Sequence, residues 1–164
     1  MKKHIIITGS KGSGKSTLLK NILNEADYGS SIPGIVTWCE KEKAVYMQRI
    51  GSVDKVTVGV FNPDSTAGEN RMNPVEDGFN VQGVYLLNQL IEDDSPWIYI
   101  DEIGYLESTC DKYIEKLNQV FEKKRVIAVV RKQETELLKK LISRQDALVV
   151  DLDAEQVYLQ KHCI

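Results

Sequence analysis

The sequence predicts an α/β fold: a mainly parallel sheet between helix layers, with an antiparallel hairpin added. Apolar, β-branched segments alternate with segments of helical hydrophobic period, the pattern of βαβ units. The first strand-like segment runs straight into a glycine-rich turn and then a helix. Two later strand-like segments are separated only by a short charged turn, which suits a hairpin and not a crossover. The 164 residues suit a single domain, 1–164, with its own core.

Each element has a local reason. Residues 4–8, with Ile5, Ile6 and Ile7, read as a strand buried on both faces. Leu18, Leu19, Ile22 and Leu23 then recur at helical spacing, and the helix is expected to stop near Gly29. Residues 35–39 and 44–50 form the hairpin, and Val56, Val58 and Val60 alternate within a third strand over 53–61. Residues 62–78, with Pro63 and Pro74, read as a long mobile loop, either a lid or an irregular connection. Val81, Val84, Leu87, Leu90 and Ile91 predict a helix over 79–92, broken at Pro96. Residues 97–100 form a buried strand that ends at Asp101-Glu102. Ser108 and Asp111 resemble a capping box for a helix bearing Tyr113, Leu117, Val120 and Phe121. A strand over 126–130, a helix marked by Leu137 and Leu141, and a strand over 147–150 follow. Asp153 with Gln156 predicts a terminal helix opened by a second capping box.

Composition narrows the function classes. Charged residues are 27% and the net charge is −3, so no broad basic field invites nucleic acid. No apolar run approaches the ~20 residues that span a bilayer, and the run after Met1-Lys2-Lys3 is too short for a signal peptide. The three cysteines, Cys39, Cys110 and Cys163, are far apart, so neither a zinc site nor a disulfide framework is expected. A reducing cytoplasm is the expected location.

Chemistry concentrates in two stretches. Gly9-Ser10-Lys11-Gly12-Ser13-Gly14-Lys15-Ser16, followed by Thr17, fits the phosphate-binding pattern G-x-x-x-x-G-K-[ST]. Its glycines let successive N–H groups turn toward an anion, and the following helix aims its positive end there. Lys15 can reach the β- and γ-phosphates of a nucleoside triphosphate, and Ser16 can ligate Mg²⁺. The second stretch is the apolar strand ending in Asp101 and Glu102. A carboxylate there holds Mg²⁺, usually through water, which is the expected role of Asp101. Glu102 is placed to orient and activate water. Both stretches fall at strand carboxyl ends, where ligands bind parallel sheets.

Other readings stay open. Asp101 to Gly104 also fits the D-x-x-G of GTPases, yet no N/T-K-x-D segment reads guanine. A kinase would need an arginine-bearing lid, which Arg131 and Arg144 could supply. Arg49, Arg71, Arg131 and Arg144 are candidates to neutralise transition-state charge, with Arg131 best placed at a strand end. Trp38, Tyr46 and Tyr105 are candidates to stack on a base.

With these motifs placed, the chain resembles the THEP-type nucleoside-triphosphatase family of P-loop proteins. The P-loop comes first. Gly34-Ile35-Val36-Thr37-Trp38-Cys39-Glu40 resembles the family's Gly-hydrophobic-x-Thr-x-x-Glu strand. Residues 79–90 resemble the helix before the acidic strand, and 126–130 the strand that follows it. Asp101-Glu102-Ile103-Gly104-Tyr105-Leu106-Glu107 resembles its D-E-I-G-x-x-E signature, in which Glu107 has no role assigned. The resemblance implies a RecA-like or kinase-like core and Mg²⁺-dependent hydrolysis of ATP, GTP and other nucleoside triphosphates, with broad base preference. It also implies Lys15 and the loop amides on phosphate, Ser16 and Asp101 on Mg²⁺, and Glu102 on water. The chain departs from the family at Ser10-Lys11, where a proline is common, and at Val130-Arg131, where threonine is more usual. A nucleotide or small-molecule kinase is the alternative enzyme, and a nucleotide-gated module acting on a partner protein is the non-enzymatic one.

Overall fold

Runs of isoleucine and valine need cover on both faces, and the fold supplies it. The computed structural model describes residues 1–26, 32–66 and 71–154. Its strands are β1 (His4–Thr8), β2 (Gly34–Glu40), β3 (Ala44–Arg49), β4 (Val56–Phe61), β5 (Met72–Pro74), β6 (Trp97–Ile103), β7 (Arg125–Val130) and β8 (Ala147–Asp151). They form one eight-stranded sheet in the order β5-β4-β3-β2-β6-β7-β1-β8. β2, β6, β7, β1 and β8 are parallel, and β3, β4 and β5 continue the sheet antiparallel. The predicted hairpin is therefore β2–β3, and it serves as the joint between the two halves.

The helices are α1 (Lys15–Glu25), α2 (Val84–Glu92), α3 (Asp111–Lys123) and α4 (Glu136–Ile142). Side chains alternate across the central strands, as a two-residue period requires. Ile6, Ile98, Ile100, Val126 and Ala128 pack in one cluster with Leu87 and Leu90 of α2, Leu117 and Phe121 of α3, and Leu138 of α4. Ile7, Tyr99, Ile127 and Val129 point the other way and pack with Leu19 of α1. Full burial of each such side chain contributes about 1.5–3 kcal/mol, so these strands anchor the loops at their ends.

Several local expectations change. The third strand begins at Val56 because Val53 is exposed. The segment 62–78 is not wholly loop: Met72–Pro74 form β5 against β4. Pro74 is tolerated there because β5 is an edge strand and needs one fewer N–H. The predicted helix over 79–92 opens with a π-helical turn, Gly78–Gly83, before α2. Gly78 packs so closely that a Cβ would lie 2.1 Å from the Thr57 carbonyl oxygen.

The Ser108–Asp111 capping box does not form. Ser108 lies in a 3₁₀ turn (Leu106–Thr109), its hydroxyl is buried without a partner, and Cys110 precedes α3 without a side-chain cap. Asp111 still favours the first turn through the helix dipole. A side-chain cap does form at α4, where Thr135 Oγ1 accepts from the Leu138 N–H. Gln156 and the predicted stop of α1 at Gly29 lie outside the described residues.

Candidate active site

β1 delivers the glycine-rich turn to the carboxyl edge of the sheet. Gly14, with φ of 95°, occupies a left-handed conformation that a side chain would strain, and it leads directly into α1. A Cβ on Gly9 would lie 2.6 Å from Ser13 Oγ, so the turn closes only around glycine. Lys15 is buried and folds back over its own loop. Its Nζ donates to the carbonyl oxygens of Gly9 at 3.1 Å and Ser10 at 2.8 Å.

β6 ends beside this turn. The Ser16 hydroxyl donates to Asp101 Oδ1 at 3.0 Å, across 85 residues of sequence. The register with β7 shifts between Asp101 and Ile103, so Glu102 falls at an irregularity that re-aims it out of the ladder. Burial raises the pKa of Asp101, opposed by the Ser16 hydrogen bond and by Lys20 and Lys15. Burial also raises that of Glu102, opposed by Arg131 and Lys15, while Asp101 adds to the rise.

Arg131, directly after β7, pairs its Nε with Glu102 Oε1 at 2.9 Å. Its backbone N–H donates to the Ile103 carbonyl oxygen at 3.0 Å, fastening the loops after β6 and β7 together. A cavity of about 380 Å³ is bounded by Gly9 to Gly12, Gly14 to Thr17, Glu102, Arg131, Lys132 and Gln133. That size lies within the range of small-ligand sites.

A family model described as NTPase matches residues 4–161. The chain belongs to this NTPase family. The crystal structure of THEP1 from the hyperthermophile Aquifex aeolicus is similar in fold, with a TM-score of 0.71. The match covers 98% of this chain and 96% of that one at 23% identity. Among curated proteins nothing matches.

The remaining candidates in this NTPase separate cleanly. Of the arginines, Arg131 borders the cavity. Arg49 pairs with Asp93 at 3.0 Å, and Arg71 donates to the Pro63 carbonyl oxygen at 3.3 Å. Arg144 pairs with Asp146 and stacks over Phe121, at the amino end of β8 and away from the P-loop. A lid built from Arg131 and Arg144 together is thus not assembled. Trp38 and Tyr46 are cross-strand neighbours with ring centroids 5.7 Å apart, and the Tyr105 hydroxyl donates to the Met72 carbonyl oxygen. None of them lines the P-loop cavity.

Two supports of the site lay beyond sequence reasoning. The Asp153 carboxylate accepts from the Ser10 N–H at 3.0 Å and from the Ser10 hydroxyl at 2.8 Å. A proline at position 10 would supply neither donor. Lys132 holds the same carboxylate at 3.2 Å and Asp151 at 2.8 Å. Glu107 is 2% exposed, and both its oxygens accept from the Gly104 N–H, at 3.2 and 3.1 Å. Burial pushes its pKa up to about 8. The signature position hinted at Glu107, whereas nothing in the local sequence hinted at the Ser10–Asp153 tie.

No helix of the described residues is long and apolar enough to cross a membrane.

Proposed function

We propose that this NTPase hydrolyses nucleoside 5′-triphosphates, ATP and GTP among them, to diphosphate and phosphate, with Mg²⁺ and little base preference. The observation that carries this reading is the convergence of Lys15, the Ser16–Asp101 pair and the Glu102–Arg131 pair around one cavity. Gly9, Ser10, Lys11, Gly12, Ser13, Gly14 and Thr17 frame the phosphates through backbone and side-chain donors. Lys15 exchanges its two carbonyl contacts for β- and γ-phosphate oxygens. Ser16 and Asp101 offer the hydroxyl and carboxylate oxygens that suit Mg²⁺, which when bound neutralises phosphate charge.

Glu102 orients the attacking water and takes its proton. Burial lifts its pKa toward the working pH, which improves a general base. Arg131 holds Glu102 before substrate arrives and faces the same cavity, where it can share charge with the γ-phosphate. Broad base preference is supported by the cavity lining, which carries no aromatic ring among the described residues. A reducing cytoplasm accords with Cys39 and Cys110 being free thiols.

The test is phosphate release from a panel of nucleoside triphosphates with and without Mg²⁺. Glu102→Gln is expected to keep Mg-ATP affinity and to lose about 10²–10⁴-fold in turnover, the usual worth of a general base. Wild-type turnover in that variant would remove Glu102 from the water-activating role.

A further inference from the structure

Beside the phosphate cavity lies a second one, of about 100 Å³. It exists because of the hairpin. β2 pairs with β6 only as far as Val36 opposite Asp101, and from Thr37 onward it pairs with β3 alone. The outer half of β2 thus rises past the parallel sheet and walls a space against the chain after β6. Trp38 and Cys39 line one side, Tyr105 and Glu107 another. Cys39 is exposed, so the space reaches the surface there. Glu102 and Arg131 line both cavities, so the two spaces meet at the pair assigned to the γ-phosphate.

Size and lining together select the occupant. At ~30 Å³ each, the space has room for about three water molecules, and it is smaller than the ~150 Å³ pocket that takes a benzene ring. Water inside a protein needs about two to four polar partners. Glu102 and Arg131 supply an acceptor and a donor where the cavities meet. Both stay accessible, with 29% of the Glu102 side chain and 22% of the Arg131 side chain open to solvent. Elsewhere the walls include Phe79 and Leu106, which offer water no hydrogen bond and leave it free to move.

We propose that this cavity is the water store of the reaction, filled from the surface at Cys39 and drawn on at Glu102. A bound triphosphate fills the first cavity and displaces its water. Phosphoryl transfer sets the attacking and leaving oxygens roughly in line. Lys15 and the P-loop hold the leaving diphosphate, so water attacks from the other side of the γ-phosphorus, where Glu102 stands with the second cavity behind it. The water oxygen bonds to the γ-phosphorus. The bond from that phosphorus to the β–γ bridging oxygen breaks, and its electron pair leaves on the diphosphate. The water proton passes to Glu102 and then along the stored water to the surface. The inference rests on the hydrolysis proposed for this site and adds where its water comes from.

The experiment plugs the mouth of the cavity. Cys39→Leu puts a branched apolar group where the thiol lines the space, and Cys39→Ser keeps the size of the thiol. Single-turnover hydrolysis of Mg-ATP is followed by rapid quench, and affinity for the β,γ-imido analogue of ATP by calorimetry. Cys39→Leu is expected to slow the single turnover about tenfold or more, the scale on which a misplaced reactant costs an enzyme, with analogue affinity held within about twofold. Cys39→Ser is expected to restore the wild-type rate. A crystal structure of the wild-type protein with Mg-ADP and aluminium fluoride is expected to show ordered water from Glu102 toward Cys39. A dry cavity there, or an undiminished single-turnover rate in Cys39→Leu, overturns the store and leaves hydrolysis standing. Equal loss of rate and analogue affinity in that variant marks a structural effect and also overturns it. Slower steady-state turnover with an unchanged single turnover overturns it too, because the space would then be an exit for phosphate. No hydrolysis by the wild-type protein overturns both readings.

Discussion

Glu107→Gln turns the buried signature carboxyl into a stability measurement. In the folded chain Glu107 holds its proton to about pH 8, against an ordinary value of 4.5. Its folded pKa is raised, so the stability it confers is complete below pH 4.5 and is lost as pH rises toward 8. Across that window the folded state binds one proton that the unfolded state has released. Stability then falls by about 1.4 kcal/mol per pH unit. By pH 7 the wild-type chain stands about 3 kcal/mol below its acid-side level on this account. Glutamine has no proton to lose, and its carbonyl can still accept from the Gly104 N–H that Glu107 now holds. The assay is urea unfolding of both proteins at pH 5, 6, 7 and 8. Subtraction at each pH cancels groups common to both, including His4, whose burial lowers its pKa to about 4. The advantage of the variant should grow by about 3–4 kcal/mol from pH 5 to pH 8. Parallel stability curves would refute the reasoning, because they would mean that Glu107 is charged in the folded protein.

Further expectations concern the site and its frame. Lys15→Ala removes a charged contact worth about 1.5–3 kcal/mol, so ATP affinity by calorimetry should fall about 10–100-fold; unchanged affinity would take Lys15 off the phosphates. Arg131→Gln removes the main charge that opposes the burial effect on Glu102, so the acid limb of the phosphate-release profile should move to higher pH. An unmoved limb would separate Glu102 from the titration. Gly78→Ala sets a Cβ against the Thr57 carbonyl oxygen, a backbone atom that cannot swing aside. It should cost about 1–3 kcal/mol in urea unfolding, and a neutral result would mean that the π-helical turn shifts freely on β4.

The legible parts of this protein were those written in consecutive residues. Strand and helix periods located β1, β6, β7 and the helices, because a two-sided strand must be apolar throughout and a covered helix must be apolar along one stripe. Cap chemistry was less legible. Ser108 and Asp111 have the right spacing, but the 3₁₀ turn places the helix start at Asp111 and buries the serine. The strand β5 was hidden because a proline in a short segment reads as loop, and only its place at the sheet edge makes it a strand.

The sequence by itself determined the α/β class, the phosphate-binding turn, the acidic pair and the family. Each of these is carried by a local pattern that needs no knowledge of what lies across the sheet. The sequence favoured Arg131 by its place at a strand end, and the tertiary structure decided that it faces the cavity, whereas Arg49, Arg71 and Arg144 each meet another partner in the fold. It also decided that Ser10 is tied to Asp153 and that Glu107 is a buried, neutral acid. The strand order β2-β6-β7-β1-β8 did this by bringing the ends of distant segments to one edge. Ser16 meets Asp101, and Glu102 meets Arg131, because parallel strands deliver their carboxyl ends side by side, however far apart they lie in the chain.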